Sequence, residues 1–141
     1  MERTQYTDTG ILILRASLGV MFIAHGLLKV LVFTPAGTVG FFESIGYPGF
    51  LAYLVMIAEI SGGALLLAGV YTRLISLALL PVLLGAALVH LPNGWVFSAE
   101  GGGWEYPVFL SVVTLVQALL GSGRYALKVP KPGFIPAALA G

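Results

Sequence analysis

His25, Lys29, Glu59, His90 and Glu105 are ionisable side chains within or at the edges of long apolar runs. A charge in hydrocarbon is costly, roughly 2.5–3.5 kcal/mol for a lysine at the centre of a span on insertion scales. Such groups persist only where they face protein, water or a partner. His25 and Lys29 are four residues apart, so on a helix they share a face. Together they suit a small polar ligand: the imidazole would exchange a proton and the ammonium would hold a carbonyl oxygen or an anion. Glu59 is the deepest acid, and an acid so placed is suited to shuttling protons. These make His25 and Glu59 the candidate catalytic groups, with Lys29, His90, Asn93, Glu105 and Tyr106 as candidate ligand-binding residues.

Each has a purely structural alternative. Lys29 can pair with Glu59 or Glu105, and His25 can bond to a neighbouring helix, which fixes packing rather than chemistry. Glu59 can neutralise Lys29 or Arg15. Asn93, Trp95 and Trp104 suit helix capping and anchoring at the membrane interface, and Tyr106 can join the aromatic belt. Arg15 and Arg73 are expected to be structural, Arg15 reaching the inner headgroups or pairing within the bundle. His25, Glu59, His90 and Glu105 supply one metal-binding group from each run. The Glu-x-x-His pairs of bundle di-iron sites are missing, however, and no metal is assigned.

The elements that must position these groups follow from composition. The chain has 141 residues, 58% hydrophobic and 9% charged, where a soluble domain carries about 25% charged residues. Its mean hydropathy is +0.98. The class is therefore membrane. A net charge of +1 and the lack of a basic stripe argue against nucleic acid as a partner, and the absence of cysteine excludes disulfides and thiolate sites within the chain. The runs do not alternate polar and apolar residues, which argues against a barrel.

The expected fold is all-α: a polytopic four-helix bundle with helices over about 10–33, 50–70, 74–91 and 104–120. Residues 1–9 form a polar N-terminus, with Asp8 or Thr9 as a helix cap. Arg15 interrupts the first run, which argues for a retained helix rather than a cleaved leader. Thr34-Pro35-Ala36-Gly37 ends the first run, and a short interfacial helix is expected around Val39–Ile45. Pro81 should kink the third. Residues 124–141, with their prolines, should lie at the surface or be disordered.

Arg3, Arg73, Arg124, Lys128 and Lys131 fall at the N-terminus, the second loop and the tail, whereas 34–49 and 92–103 hold no Lys or Arg. With four spans this puts both termini in the cytoplasm. At roughly 100° per residue, Arg15, Gly19, Phe22, His25, Gly26 and Lys29 fall on one side of the first helix. Ala52, Val55, Glu59, Gly62, Gly63 and Leu66 form a stripe on the second. Small residues beside polar ones mark a helix–helix interface, so both stripes should face inward and their titratable groups should meet in the outer half of the bundle.

The ordered set Leu14-Arg15-x-x-Leu18-Gly19-x-x-Phe22-x-x-His25-Gly26-x-x-Lys29, Phe41-Phe42-x-x-x-Gly46-x-Pro48, Glu59-x-x-Gly62-Gly63, Gly69-x-x-Thr72-Arg73, His90-x-x-Asn93-Gly94 and Gly103-Trp104-Glu105-Tyr106 resembles the DoxX family of small four-helix bacterial inner-membrane proteins. The resemblance runs from about Leu14 to Gly123. It implies a multi-pass inner-membrane protein connected with quinone-coupled oxidoreductase systems, such as subunits of a quinol oxidase or of thiosulfate:quinone oxidoreductase, or with oxidative-stress complexes. Two readings remain. One is a subunit of a quinone-linked system whose outward-facing pocket binds a quinone or small redox ligand, with electrons supplied by a membrane or periplasmic protein. The other is a non-catalytic accessory subunit whose polar network serves packing and partner docking.

Overall fold

The structure, a computed structural model, describes residues 3–141, so Met1 and Glu2 of the expected N-terminal segment lie outside the described residues. Among these it is all-helical: α1 (Arg3–Leu27), continued by a π-helical turn (Leu28–Val32), α2 (Pro35–Ser44), α3 (Phe50–Ala68), α4 (Thr72–His90), continued by a 3₁₀ turn (Leu91–Asn93), α5 (Glu105–Leu120) and α6 (Ala137–Ala140). Three helical segments are long and apolar enough to cross a bilayer: Thr4–Val32, Phe50–Ala68 and Thr72–Asn93. The fourth apolar helix, α5, has 16 residues and spans about 24 Å at 1.5 Å per residue.

Two features differ from expectation at the N-terminal end. α1 begins at Arg3 rather than near residue 10, because nothing between them breaks a helix. Neither proposed cap acts as one: the Thr9 hydroxyl donates back to the Gln5 carbonyl (2.8 Å), and the Asp8 carboxylate accepts from the Arg124 backbone N–H (3.3 Å). At the other end of α1, Thr34 caps α2 by accepting from the Gly37 N–H (3.1 Å), which fixes a sharp turn with Thr34 at φ 63°. α2 is longer than the segment expected around Val39–Ile45.

α1 and α3 approach closely enough that only glycine fits. A Cβ on Gly19 would lie 2.7 Å from the Gly63 carbonyl oxygen, and one on Gly63 the same distance from that of Gly19. A Cβ on Gly26 would meet Ile60 at 2.6 Å. The expected inward stripes are therefore present. α4 pairs with α5, and Leu79 of α4 packs over Gly62. Leu18, Phe22, Leu66, Leu79, Leu83 and Leu110 form the apolar core between the two pairs.

The last carbonyls of α3 have no partners within their own helix. Arg15, 1% exposed, supplies them: its Nη1 donates to the carbonyls of Leu66 and Leu67 (2.7 Å each), while Nη2 donates to Tyr125 in the tail (2.8 Å). The Leu127 N–H then bonds the Ala68 carbonyl (2.9 Å). Arg15 thus does not reach for headgroups; it is the buried clamp that joins α1, the end of α3 and the tail.

The tail lies largely at the surface, one of the two expectations, and is ordered there by specific contacts. The Tyr71 hydroxyl donates to Pro130 (2.8 Å), Arg73 Nη1 to Ala138 (3.2 Å), and Ile135 is buried. The first turns of α1 and the tail therefore meet at one end of the bundle, called here the tail end, with α2 at the other.

Candidate functional site

Towards the α2 end, α1/α3 and α4/α5 separate around a cavity of about 530 Å³. Its walls are almost wholly apolar. Phe41 and Phe42 of α2, with Ile45 and Tyr47 after it, roof the α2 end, and the Phe22–Leu83–Leu110 layer of the core forms the floor. The polar groups on this surface are His25, Lys29, Glu59, His90 and the two tyrosines Tyr47 and Tyr106.

α1 and α3 hold the central pair. Glu59 sits midway along α3, beside the close approach of Gly26, and Lys29 lies in the π-helical turn that ends α1. Such turns widen a helix and recur at functional sites. The Lys29 carbonyl at this turn accepts from the Thr38 hydroxyl (3.0 Å), which ties α2 to the end of α1. Lys29 Nζ lies 2.8 Å from Glu59 Oε2 and 3.0 Å from Oε1, and 3.4 Å from the His25 carbonyl. Its three protons thus have three acceptors. The side chains are 21% and 7% exposed, respectively. An ammonium and a carboxylate this shielded must stay together, since separating them leaves a buried charge.

His25 lies one turn from Lys29. Its Nδ1 is 2.8 Å from the Met21 carbonyl. A carbonyl only accepts, so Nδ1 carries the hydrogen and Nε2 is left for a ligand. The ring stacks on Tyr106 of α5, centroids 5.8 Å apart and planes at 19°. The Tyr106 hydroxyl is buried and has no hydrogen-bond partner among the described residues. Buried hydroxyls are normally bonded, so it is an unmet donor on a side chain that lines this wall.

The remaining expected residues divide. His90 lines the cavity, but its Nδ1 faces the carbonyls of Gly101 (3.0 Å) and Gly102 (3.1 Å). Asn93 Nδ2 donates to the same Gly102 carbonyl (2.9 Å) and does not line the cavity. Glu105 is not on the cavity surface either. It begins α5, where its backbone N–H bonds the Trp95 carbonyl (3.1 Å) and its charge suits the helix N-terminus. The expected Glu105 contribution to the pocket is corrected accordingly, and Lys29 pairs with Glu59, not Glu105. Asn93 holds a loop. Arg15 and Arg73 are at the tail end, Arg73 bonding α6. Among the described residues, no three His, Asp or Glu side chains gather closely enough to hold a metal, so His25, Glu59, His90 and Glu105 do not form a one-ligand-per-helix metal set.

Missing from the sequence reading were the α2 roof and the second function of Arg15. The Phe41-Phe42 pair and the Gly46-Tyr47-Pro48-Gly49 turn signalled the roof only faintly, because a short helix carries little periodicity. The tail carbonyl that Arg15 binds, Tyr125, is 110 residues away and has no sequence signature.

Long apolar helices around a cavity with a shielded ion pair define a multi-pass helical membrane protein. The chain belongs to the DoxX family: the family model described as DoxX matches residues 10–91. The chain is 36% identical to "Putative oxidoreductase CatD" of Bacillus subtilis (strain 168) over 85% of each chain. It is 32% identical to "Inner membrane protein YqjF" of Escherichia coli (strain K12), over 85% of this chain and 90% of that one. No solved structure matches it. It is accordingly a bacterial multi-pass inner-membrane protein, with its apolar helices in lipid contact.

Proposed function

We propose that this protein is a membrane subunit of a quinone-linked oxidoreductase system and that its cavity holds the ligand's head group. The supporting observation is the Lys29–Glu59 pair set on an otherwise apolar wall beside His25 Nε2 and the unpartnered Tyr106 hydroxyl. A volume of about 530 Å³ lies within the roughly 300–1,000 Å³ of small-molecule sites. Quinone reduction takes up two electrons and two protons. Here His25 Nε2 and Glu59 exchange the protons, while Lys29, giving up its long 3.4 Å contact with the His25 carbonyl, donates to one carbonyl oxygen and the Tyr106 hydroxyl, turned towards the cavity, to the other. With no cysteine in the chain, electrons come from a membrane or periplasmic partner. A relative named as an oxidoreductase agrees with this.

In this reading α5 is the fourth crossing, with its ends in the interfaces. The termini and the tail are cytoplasmic, and 34–49 and 92–103 face outward. A cysteine-accessibility map that found 92–103 inside would reverse that orientation.

A second reading has its own support. The three acceptors around Lys29 Nζ leave it no free proton, as in an accessory subunit whose ion pair serves packing. Extraction of protein purified in mild detergent separates the two. Quinone present in wild type and lost in Glu59→Gln and His25→Ala, with both variants still monodisperse, supports the redox subunit. A quinone-free wild type, with variants that aggregate or release a partner, supports the accessory role.

A further inference from the structure

The cavity has a side as well as a roof and a floor. Between α3 and α4 it is edged by Leu54 on one helix and by Pro81 and Gly85 on the other. Leu54 is 55% exposed and Pro81 is exposed too, yet both line the cavity, so they mark its rim. A Cβ placed on Gly85 would meet nothing within 4 Å. The helices carrying these residues are candidate membrane spans, and Pro81 and Gly85 lie well inside theirs. This rim therefore faces acyl chains and not water.

The origin of the cleft is local. α3 and α4 are joined at the tail end by Gly69–Tyr71 and packed there by Gly62 against Leu79. Beyond Leu79, Pro81 removes a helical hydrogen bond to the Leu77 carbonyl. Past that point small residues, Gly85 and Ala86, face the cavity where bulkier ones would close it. The roof is mostly apolar, with Phe41, Phe42 and Ile45 beside a single polar-tipped side chain, Tyr47.

Resting on the reading of this cavity as a ligand site, we infer that the α3/α4 cleft is a lateral portal through which the cavity fills from the bilayer. The occupant is an amphiphile with one apolar chain. Its polar carbonyl-bearing head lies beside Lys29, Glu59, His25 and Tyr106, and its chain leaves past Leu54 and Gly85 into lipid. A head group alone, dissolved in water, would have to cross the mostly apolar roof, where only Tyr47 and His90 offer polar contacts. A lipid-soluble one is already concentrated at the rim, and its chain keeps its apolar surroundings on entry.

The absence of cysteine makes single-cysteine variants clean. A bimane fluorophore on Ala58→Cys, inside the cavity, is read in phosphatidylethanolamine/phosphatidylglycerol nanodiscs with two quenchers: doxyl-labelled phospholipid and aqueous iodide. The portal predicts quenching by the lipid and little by iodide, with lipid quenching lost when Gly85→Trp, or Gly85→Leu if the larger residue disturbs folding, is added. Quenching by iodide but not by lipid overturns the portal. In a second arm, a decyl-tailed benzoquinone and its tail-free ring are titrated. The tailed compound should bind at least roughly tenfold more tightly, and the Gly85 variant should remove that advantage. Equal binding of the two overturns the amphiphile assignment. Binding of neither, with lipid quenching intact, overturns the quinone reading and leaves the portal standing.

Discussion

Removing the Glu59 carboxylate should destabilise the protein more than removing the whole ion pair. In Glu59→Leu, Lys29 Nζ loses both carboxylate contacts, at 2.8 and 3.0 Å, and keeps only the His25 carbonyl at 3.4 Å. Breaking a buried pair in this way costs about 3–5 kcal/mol. Lys29 is 21% exposed, so the freed ammonium recovers some solvation from the cavity, which places the loss near the lower end, about 3 kcal/mol. At about 2–4 °C per kcal/mol for a chain near this size, the melting temperature should fall by roughly 6–12 °C. Lys29→Met alone leaves the carboxylate stranded and should cost about as much. The double variant strands neither charge and fills the space with apolar atoms, so its loss should be within about 1 kcal/mol of wild type. The assay is fluorescence-detected thermal unfolding in detergent, run as a double-mutant cycle. A coupling below about 0.5 kcal/mol, or single variants that melt with wild type, would refute the view that these charges depend on each other.

Three further outcomes follow from other contacts. Gly63→Leu sets a side chain where a Cβ already meets the Gly19 carbonyl at 2.7 Å. It should cost well over 1 kcal/mol and reduce the yield of monodisperse protein, and normal yield and melting would show that the α1–α3 approach is wrong. Arg15→Met strips donors from Leu66, Leu67 and Tyr125. Hydrogen bonds from a charged group contribute about 1.5–3 kcal/mol, so stability should drop by at least about 2 kcal/mol, and trypsin should cut faster at Arg124 and Lys128; an unchanged digestion rate would contradict the clamp. The Thr114 hydroxyl, fully buried on α5, has no partner among the described residues. Thr114→Val keeps its shape and should melt at or above wild type, whereas a loss above about 1 kcal/mol would reveal a hydrogen bond, most simply to an internal water.

The sequence disclosed the inward faces of α1 and α3 because both depend on periodicity and on small residues next to polar ones. Gly19, Gly26 and Gly63 at the contact, and Lys29 against Glu59, all lie on the stripes that roughly 100° spacing draws. Counting residues in from the helix ends puts Glu59 close to the depth of His25, one turn from Lys29, and Glu59 pairs with Lys29. Such counting fixes depth and not direction, and Glu105 is the case in point: it begins a helix whose first turn uses its backbone to hold the 94–104 loop. Asn93 shows the same limit, since its partner Gly102 is a backbone carbonyl without a signature. α1 starts earlier than the apolar run because polar residues end only the lipid-compatible part of a helix and not the helix itself. The order of the tail is not legible in the sequence for a related reason. Its contacts are backbone hydrogen bonds to the unpaired end of α3 and to Tyr71 and Arg73, which composition does not encode.

The chain contains two histidines, and only His25 is assigned a ring nitrogen that meets the ligand. The ¹⁵N resonances of histidine-labelled protein in nanodiscs, followed during addition of a decyl-tailed quinol, therefore address the proposed site without a partner or an activity assay. The Nε2 signal of His25 should move while Nδ1, held by Met21, stays, and the response should vanish in Glu59→Gln. Unchanged His25 signals at saturating quinol, or a response confined to His90, would mean that the cavity beside Lys29 and Glu59 is not where this ligand binds.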